Sequence, residues 1–296
     1  MYAIEVVLPN GKIANLGAPL KKCSAGFCLD QLIIGSEGTL GIITKATLKL
    51  VPLSPYKLDV LAVFTDLAKA TALVPQLVKA GLNPTSVEFM DNNFVRSASD
   101  YSELRLPHYE DGFYDIISIE TFNETELDEK MEKLAAICEQ CGATDIVEAD
   151  DRVWKVRRNC LESTRVFSKV ATSEDLVVPV TKIADCIQHL VEESKNYDFR
   201  VFCLAHAGDG NLHFQILQCD LSDDEWKRQV EAFRAVAYPY VYQLGGRLSG
   251  EHGIGLKRLE YMERYTDPVE LDVMRTIKTA LDPQWILNPG KVMGPQ

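Results

Sequence analysis

Arg200-Val-Phe-Cys-Leu-Ala-His206-Ala-Gly-Asp-Gly-Asn-Leu-His213-Phe-Gln-Ile-Leu217 decides the fold. Its arms, Arg200–Ala205 and Leu212–Leu217, are apolar and flank Asp209-Gly210. Asp-Gly between apolar runs signals a hairpin with a two-residue turn. With the turn at Asp209-Gly210, residue 208 pairs with 211 and His206 with His213. The two imidazoles then face each other on one side of a sheet, with Cβ atoms roughly 5 Å apart. Such a pair can share a metal ion, each nitrogen about 2.0–2.1 Å from it if the ion is zinc. An ordinary cross-strand histidine pair accounts for the same register. Gly250-Glu251-His252-Gly253 supplies what the pair lacks. Glu251 completes a two-histidine, one-carboxylate metal set, and His252 stands ready as a general base near neutral pH.

Strand and helix patterns alternate on either side of the hairpin. Residues 2–8 and 12–16 read as strands around Asn10-Gly11, and Ile42–Leu50 as a further β-branched run ended by Pro52 and Pro55. A domain boundary is expected there, with domains at 1–54 and 55–296. Beyond it, strands are expected at Leu58–Phe64, Thr85–Phe89, Asp115–Thr121 and Leu176–Val180. Helices are expected at Asp66–Ala80, Asp91–Arg96, Glu124–Gln140, Asp150–Phe167, Ile183–Ser194, Asp223–Leu244, Leu256–Arg264 and Pro268–Leu281. This mixture predicts an α+β fold: an antiparallel sheet with helices packed on one face, and a helical C-terminal segment.

Composition narrows the function. The 296 residues are 46% hydrophobic and 25% charged, ordinary for a soluble globular protein. A net charge of −12 argues against nonspecific nucleic-acid binding, and any anion site must be locally basic. No apolar run approaches the length of a membrane span. Eight irregularly spaced cysteines, with Cys138-Glu-Gln-Cys141 as the single CxxC, read as reduced thiols in a cytosol-like compartment rather than a zinc or iron–sulfur site.

Two more stretches carry chemistry. Gly35-Ser-Glu-Gly38-Thr-Leu-Gly41 spaces three glycines by three, allowing close backbone approach to a ligand. It is neither a P-loop nor GxGxxG, and a glycine-rich lead into a strand explains it equally well. Arg157 and Arg158, with Arg152 and Arg165 nearby, form a candidate carboxylate site or a solvated helix face.

Three segments together resemble the FAD-linked oxidases of the vanillyl-alcohol oxidase type, in the branch of D-lactate dehydrogenase, glycolate oxidase and D-2-hydroxyglutarate dehydrogenase. They are Gly35-Ser-Glu-Gly-Thr-Leu-Gly-Ile-Ile-Thr44, His206-Ala-Gly-Asp-Gly-Asn-Leu-His213, and Ser249-Gly-Glu-His-Gly-Ile-Gly255 followed by Leu287-Asn-Pro-Gly-Lys-Val292. The resemblance implies His206, His213 and Glu251 as ligands of a divalent metal, zinc or manganese, and His252 as the base and a substrate contact. It implies substrate contacts from Arg157 and Asn211. It implies FAD contacts from Gly35, Ser36, Glu37, Gly38, Gly41, Ile42, Ile43 and Asn288. The reaction implied is oxidation of a small D-2-hydroxy acid to the 2-oxo acid, with hydride passing to flavin N5. The electron acceptor is then a quinone, a cytochrome, an electron-transfer flavoprotein or oxygen. A homodimer or companion subunit, and a cytoplasmic or mitochondrial-matrix location, also fit.

The family usually begins upstream with a Pro-Gly-Gly-type pyrophosphate loop, and its Gly-Tyr-Asp-Leu stands here as Gly26-Phe27-Cys28-Leu29. An N-terminally truncated chain with a partial FAD-binding (PCMH-type) domain is therefore expected at 1–54, ahead of the substrate and metal domain at 55–296. Alternatives are a non-catalytic, accessory fragment that binds a metal or partner, and a hydrolytic metalloenzyme using the same His-His-Glu set.

Overall fold

Asn10 and Gly11 turn the chain between β1 (Ala3–Val7) and β2 (Ile13–Gly17). The computed structural model, which describes residues 1–294, shows Asn10 Oδ1 accepting from the backbone N–H of Lys12 at 3.0 Å. The short helix α1 (Leu29–Ile33) precedes the glycine loop, and β3 (Ile42–Thr47) follows it. β3 pairs antiparallel with β1, giving a sheet of order β2-β1-β3 with a bulge between Glu5 and Val6. Ile4, Val6, Ile33 and Leu40 form its small core.

The chain then builds a second compact unit, Ser54–Glu251. Its elements are β4 (Tyr56–Phe64), α2 (Leu67–Lys79), β5 (Ser86–Met90), α3 (Asn92–Ser102), β6 (Phe113–Thr121), α4 (Glu124–Gln140) and β7 (Asp145–Glu148). There follow α5 (Asp151–Arg158), α6 (Cys160–Thr164), β8 (Ala171–Val177), α7 (Ile183–Ser194), β9 (Arg200–His206), β10 (Asn211–Leu217) and α8 (Asp223–Gln243). The closing helices α9 (Leu259–Tyr265) and α10 (Pro268–Leu281) belong with the first unit, which comprises Met1–Leu53 and the chain from His252 onward. By compactness, the closing segment thus groups with the N-terminal part rather than with the long central stretch.

Helix starts are written locally. Asp66, Asp91, Asn123, Asp150, Ser222 and Asp267 each accept a first-turn backbone N–H at α2, α3, α4, α5, α8 and α10. Each such cap is worth about 1 kcal/mol. The single helix expected over 150–167 is two. Asn159 leaves helical geometry at φ −89°, ψ 1° and donates Nδ2 to Ser102 Oγ at 3.0 Å. Asparagine competes for such bonds and is a poor helix-interior residue. The strand expected at 176–180 lies earlier, at Ala171–Val177, and ends before Pro179, which has no N–H to give a ladder. The short β7 at the sheet edge was not anticipated.

The second unit's sheet has the order β7-β4-β6-β5-β9-β10-β8, antiparallel throughout. Helices cover both faces rather than the one expected. Leu61, Val63, Met90, Tyr114, Ile116 and Leu204 pack with Phe94, Val95, Val153 and Val156 of α3 and α5. The alternate residues, Val60, Ala62, Phe89, Ile117 and Ile119, are just as buried. They lie on the other face, where α2 and α4 meet β4 and β6. A run buried at successive positions is the mark of a strand covered on both sides.

Asp115 in β6 interrupts that second face. It is fully buried and neither carboxyl oxygen has a hydrogen-bond partner. Burial pushes its carboxyl well above the usual range. Folding therefore favours the protonated form. Its contribution to stability is present at low pH and is lost as pH rises through the ordinary carboxylate value toward the raised one. Asp115→Val is expected to stabilise the protein by about 1–3 kcal/mol at neutral pH, the cost of an unsatisfied buried polar group. The gain should be larger at pH 8 than at pH 5. Urea titrations at the two pH values check it, and an equal or negative effect at both sinks it.

Candidate functional site

The decisive hairpin closes through four residues, Ala207–Gly210, not two. Asn211 pairs with His206 and His213 with Leu204, so the expected 206–213 pairing is displaced by two positions. Gly208 N–H pairs instead with Val87 O of β5 at 3.2 Å, which takes the chain out of the β9–β10 ladder before Asp209. Gly210 sits at φ +77°, and a Cβ there would lie 2.1 Å from the Val178 carbonyl oxygen. A shift of two keeps every side chain on its face, whereas a shift of one would have separated the histidines. His206 and His213 are diagonal neighbours with ring centroids 5.4 Å apart.

Glu251 joins them. Its Oε1 lies 3.1 Å from His213 Nε2 and 3.6 Å from His206 Nε2. One ligand atom from each of the three falls within 4.8 Å of the others. Two bonds of about 2.05 Å in tetrahedral geometry set ligand atoms about 3.3 Å apart, so this donor set fits a zinc-sized ion. All three are neutral or anionic donors of the kind zinc and manganese accept. His213 is buried, His206 half-buried and Glu251 exposed. The cluster thus has one open side.

Two carboxylates, Glu88 and the buried Asp175, hold these side chains in place. Glu88 lies directly opposite His206 across β5 and β9, and its Oε1 is 2.8 Å from His206 Nδ1. Glu88 Oε2 accepts from Arg157 Nη2 at 2.7 Å and Nε at 3.2 Å. Burial raises the Glu88 carboxyl, but the His206 hydrogen bond and the Arg157 charge outweigh it and keep it below its ordinary value. The same hydrogen bond raises His206 above the usual histidine range, against partial burial. Asp175, fully buried in β8, accepts Asn211 Nδ2 at 2.7 Å, Ser249 Oγ at 2.6 Å, and the backbone N–H groups of Gly250 and Glu251, both at 3.1 Å. It therefore sets the chain direction from which Glu251 projects. Gly250 must be glycine for this, since a Cβ would lie 2.0 Å from Asn211 Nδ2. Asn211 Oδ1 is buried and has no partner, an acceptor left for a ligand.

In the first unit, the residues expected at the flavin line an open hollow of about 620 Å³: Gly35, Ser36, Glu37, Gly38, Gly41, Ile42, Ile43 and Asn288 all border it. Ser36 Oγ is buried without a partner, and Ile42 and Ile43 are exposed. A void edged by a glycine turn, an orphan hydroxyl and bare isoleucines fits part of a large, mixed polar and apolar cofactor such as FAD. Glu37, in left-handed geometry at φ +51°, accepts the backbone N–H groups of Ile254 and Gly255 at 2.7 and 2.8 Å. Its backbone carbonyl accepts Asn288 Nδ2. The carboxylate of Glu37 is thus spent on the loop that begins at the exposed His252. Lys278, almost fully buried, ties Thr39 O, Asp282 and Leu287 O together behind the loop.

Sequence reading missed Glu88 and Asp175. The available signal was a lone acid within the apolar strand Ser-Val-Glu88-Phe-Met, and an acidic pair in Ser-Glu174-Asp175-Leu-Val. All eight cysteines are unpaired, and among the described residues Cys138 and Cys141 join no cluster of three metal-capable side chains.

The family model described as "FAD linked oxidases, C-terminal domain" matches residues 55–292. The chain is 35% identical over 300 residues to a D-lactate dehydrogenase of Anaerostipes hadrus, covering 98% of this chain and 63% of that protein. It is 34% identical over 297 residues to the glycolate oxidase subunit GlcD of Bacillus subtilis, covering 99% of this chain and 63% of that one. The chain spans less than two thirds of the length of these relatives. Among solved structures, p-cresol methylhydroxylase with substrate bound aligns with a TM-score of 0.71 at 18% identity, over 99% of this chain and 65% of that one. At that identity the likeness is one of fold.

Proposed function

Because the chain belongs to the family of FAD linked oxidases, C-terminal domain, we propose that it takes part in FAD-dependent oxidation of a small D-2-hydroxy acid to its 2-oxo acid. The observation that carries this reading is the gathering of His206, His213 and Glu251 ligand atoms within 4.8 Å. The names of the two relatives support the substrate class, since lactate and glycolate are both 2-hydroxy acids.

When bound, a divalent metal supplies Lewis acidity toward the substrate hydroxyl and FAD supplies the hydride acceptor. His206 Nε2, His213 Nε2 and Glu251 would hold the metal, zinc or manganese. Asn211 Oδ1 accepts a hydrogen bond from the substrate, and Arg157, with Nη1 not committed to Glu88, binds the substrate carboxylate. An imidazole nitrogen of His252, the next residue after Glu251, takes the hydroxyl proton. The backbone and side chains of the 35–43 loop, with Asn288, would contact FAD. The electron acceptor would be a quinone, a cytochrome, an electron-transfer flavoprotein or oxygen, and a homodimer or companion subunit also fits this reading.

The test is turnover. Purified protein supplied with FAD and Mn²⁺ is assayed for dye reduction by D-lactate and glycolate. His252→Ala is expected to lower kcat by roughly 10²–10⁴-fold, the usual contribution of a general base. Its metal stoichiometry and flavin content should stay unchanged. Near-wild-type turnover removes His252 from the chemistry. Metal-dependent hydrolysis without flavin would replace the whole reading.

A further inference from the structure

We propose that Glu88 is the positioning residue of the metal centre, fixing His206 in the tautomer that leaves Nε2 as the ligand atom, with Arg157 buttressing it from behind. This inference rests on the metal reading above for its function, but the geometry stands in the protein alone.

The two oxygens of Glu88 are divided between two partners. Oε1 faces His206 Nδ1 at 2.8 Å and Oε2 faces Arg157 at 2.7 Å. An ionised carboxylate only accepts hydrogen bonds, so the Nδ1 facing it must carry the proton. Nε2, on the side of Glu251, is then the lone-pair nitrogen. The 3.6 Å from His206 Nε2 to Glu251 is too long for a hydrogen bond, so Glu251 does not compete for that ring. A simple ion pair with Arg157 would need neither the register that puts Glu88 opposite His206 nor the aim of Oε1 at the ring. Glu88 and Arg157 are both largely buried, with side chains 12% and 16% exposed, so the ring meets a fixed partner rather than solvent. A histidine held through its other nitrogen is a better and better-aimed ligand, and losing such an outer partner typically costs 10–100-fold in metal affinity.

Two measurements decide it. In long-range proton–nitrogen spectra of nitrogen-15 histidine-labelled, metal-free protein, His206 should show the Nδ1–H pattern at a pH where the ring is neutral. The Nε2–H pattern overturns the proposal. In calorimetric titrations with Mn²⁺ at one pH, Glu88→Ala should bind roughly 10–100-fold more weakly than wild type. Glu88→Gln, which keeps an acceptor oxygen for Nδ1–H, should recover most of that loss. Wild-type affinity in Glu88→Ala overturns the proposal, as does Glu88→Gln binding no better than Glu88→Ala. If wild type takes up no Mn²⁺ or Zn²⁺, the metal reading fails by itself, and the tautomer spectrum still decides what Glu88 does. Because that spectrum is taken on wild-type protein, the decision survives a variant that does not fold.

Discussion

His213→Ala is expected to abolish tight divalent-metal binding, lowering affinity by at least about 100-fold. That bound follows because loss of an outer partner alone typically costs 10–100-fold, and in the proposed centre His213 supplies a ligand atom itself. His213 is the most buried of the three ligands, with Nε2 3.1 Å from Glu251. Without it, His206 and Glu251 form only a two-ligand set with an open side. A linked effect follows. A ligand that binds only the folded state stabilises it by about 2.7 kcal/mol at 100 times its Kd. Wild-type protein should therefore melt at a higher temperature on addition of Mn²⁺, and His213→Ala should not respond at the same concentration. Direct titration and thermal melts, each with and without metal, read both effects. Equal metal-induced shifts in the two proteins would show that the ion is held elsewhere.

Asp175→Ala is expected to be the most destabilising single change near the site. Four donors converge on this buried carboxylate: Asn211 Nδ2, Ser249 Oγ, and the N–H groups of Gly250 and Glu251. Each donor left buried and unmatched costs about 1–3 kcal/mol, so a loss of at least about 3 kcal/mol is expected in urea denaturation. Asp175→Asn offers only partial rescue. Its amide nitrogen would have to face either the Asn211 amide or the donors of the 249–251 turn, and donor against donor cannot bond. Both variants should also bind metal more weakly, because the turn that aims Glu251 loses its anchor. A fully stable Asp175→Ala that still binds metal would mean that the turn is held by its other contacts.

The hairpin was legible because its chemistry is local. Apolar arms and an Asp-Gly turn signal gave antiparallel pairing, and period two put both histidines on one face. The number of loop residues was not legible, since it depends on Gly208 pairing with Val87, far away in the sequence. The face survived the error because the displacement was even. The continuous apolar run of β4, Val60-Leu-Ala-Val-Phe64, already speaks against an uncovered face. Glu88 escaped for a different reason. It meets His206 across 118 positions of sequence, through a strand pair that no local pattern announces. The glycine loop was visible as a loop. The occupation of the Glu37 carboxylate by two backbone N–H groups was not, because that bond joins the two ends of the chain.

The return of the chain to its first unit sets an order of events during synthesis. The second unit is one uninterrupted stretch, whereas the first needs both Met1–Leu53 and the residues from His252 on. On the ribosome, the early β1-β2-β3 segment must therefore wait while the whole central stretch is made, many seconds at roughly 5–20 residues per second. During that interval Ile4, Val6, Ile33 and Leu40 lack Ile277 of α10, the apolar partner that packs on them in the finished fold. The long central stretch can collapse on its own meanwhile. Met1–Leu53 is thus exposed to chaperones until the residues from His252 on, which complete its unit, have been made.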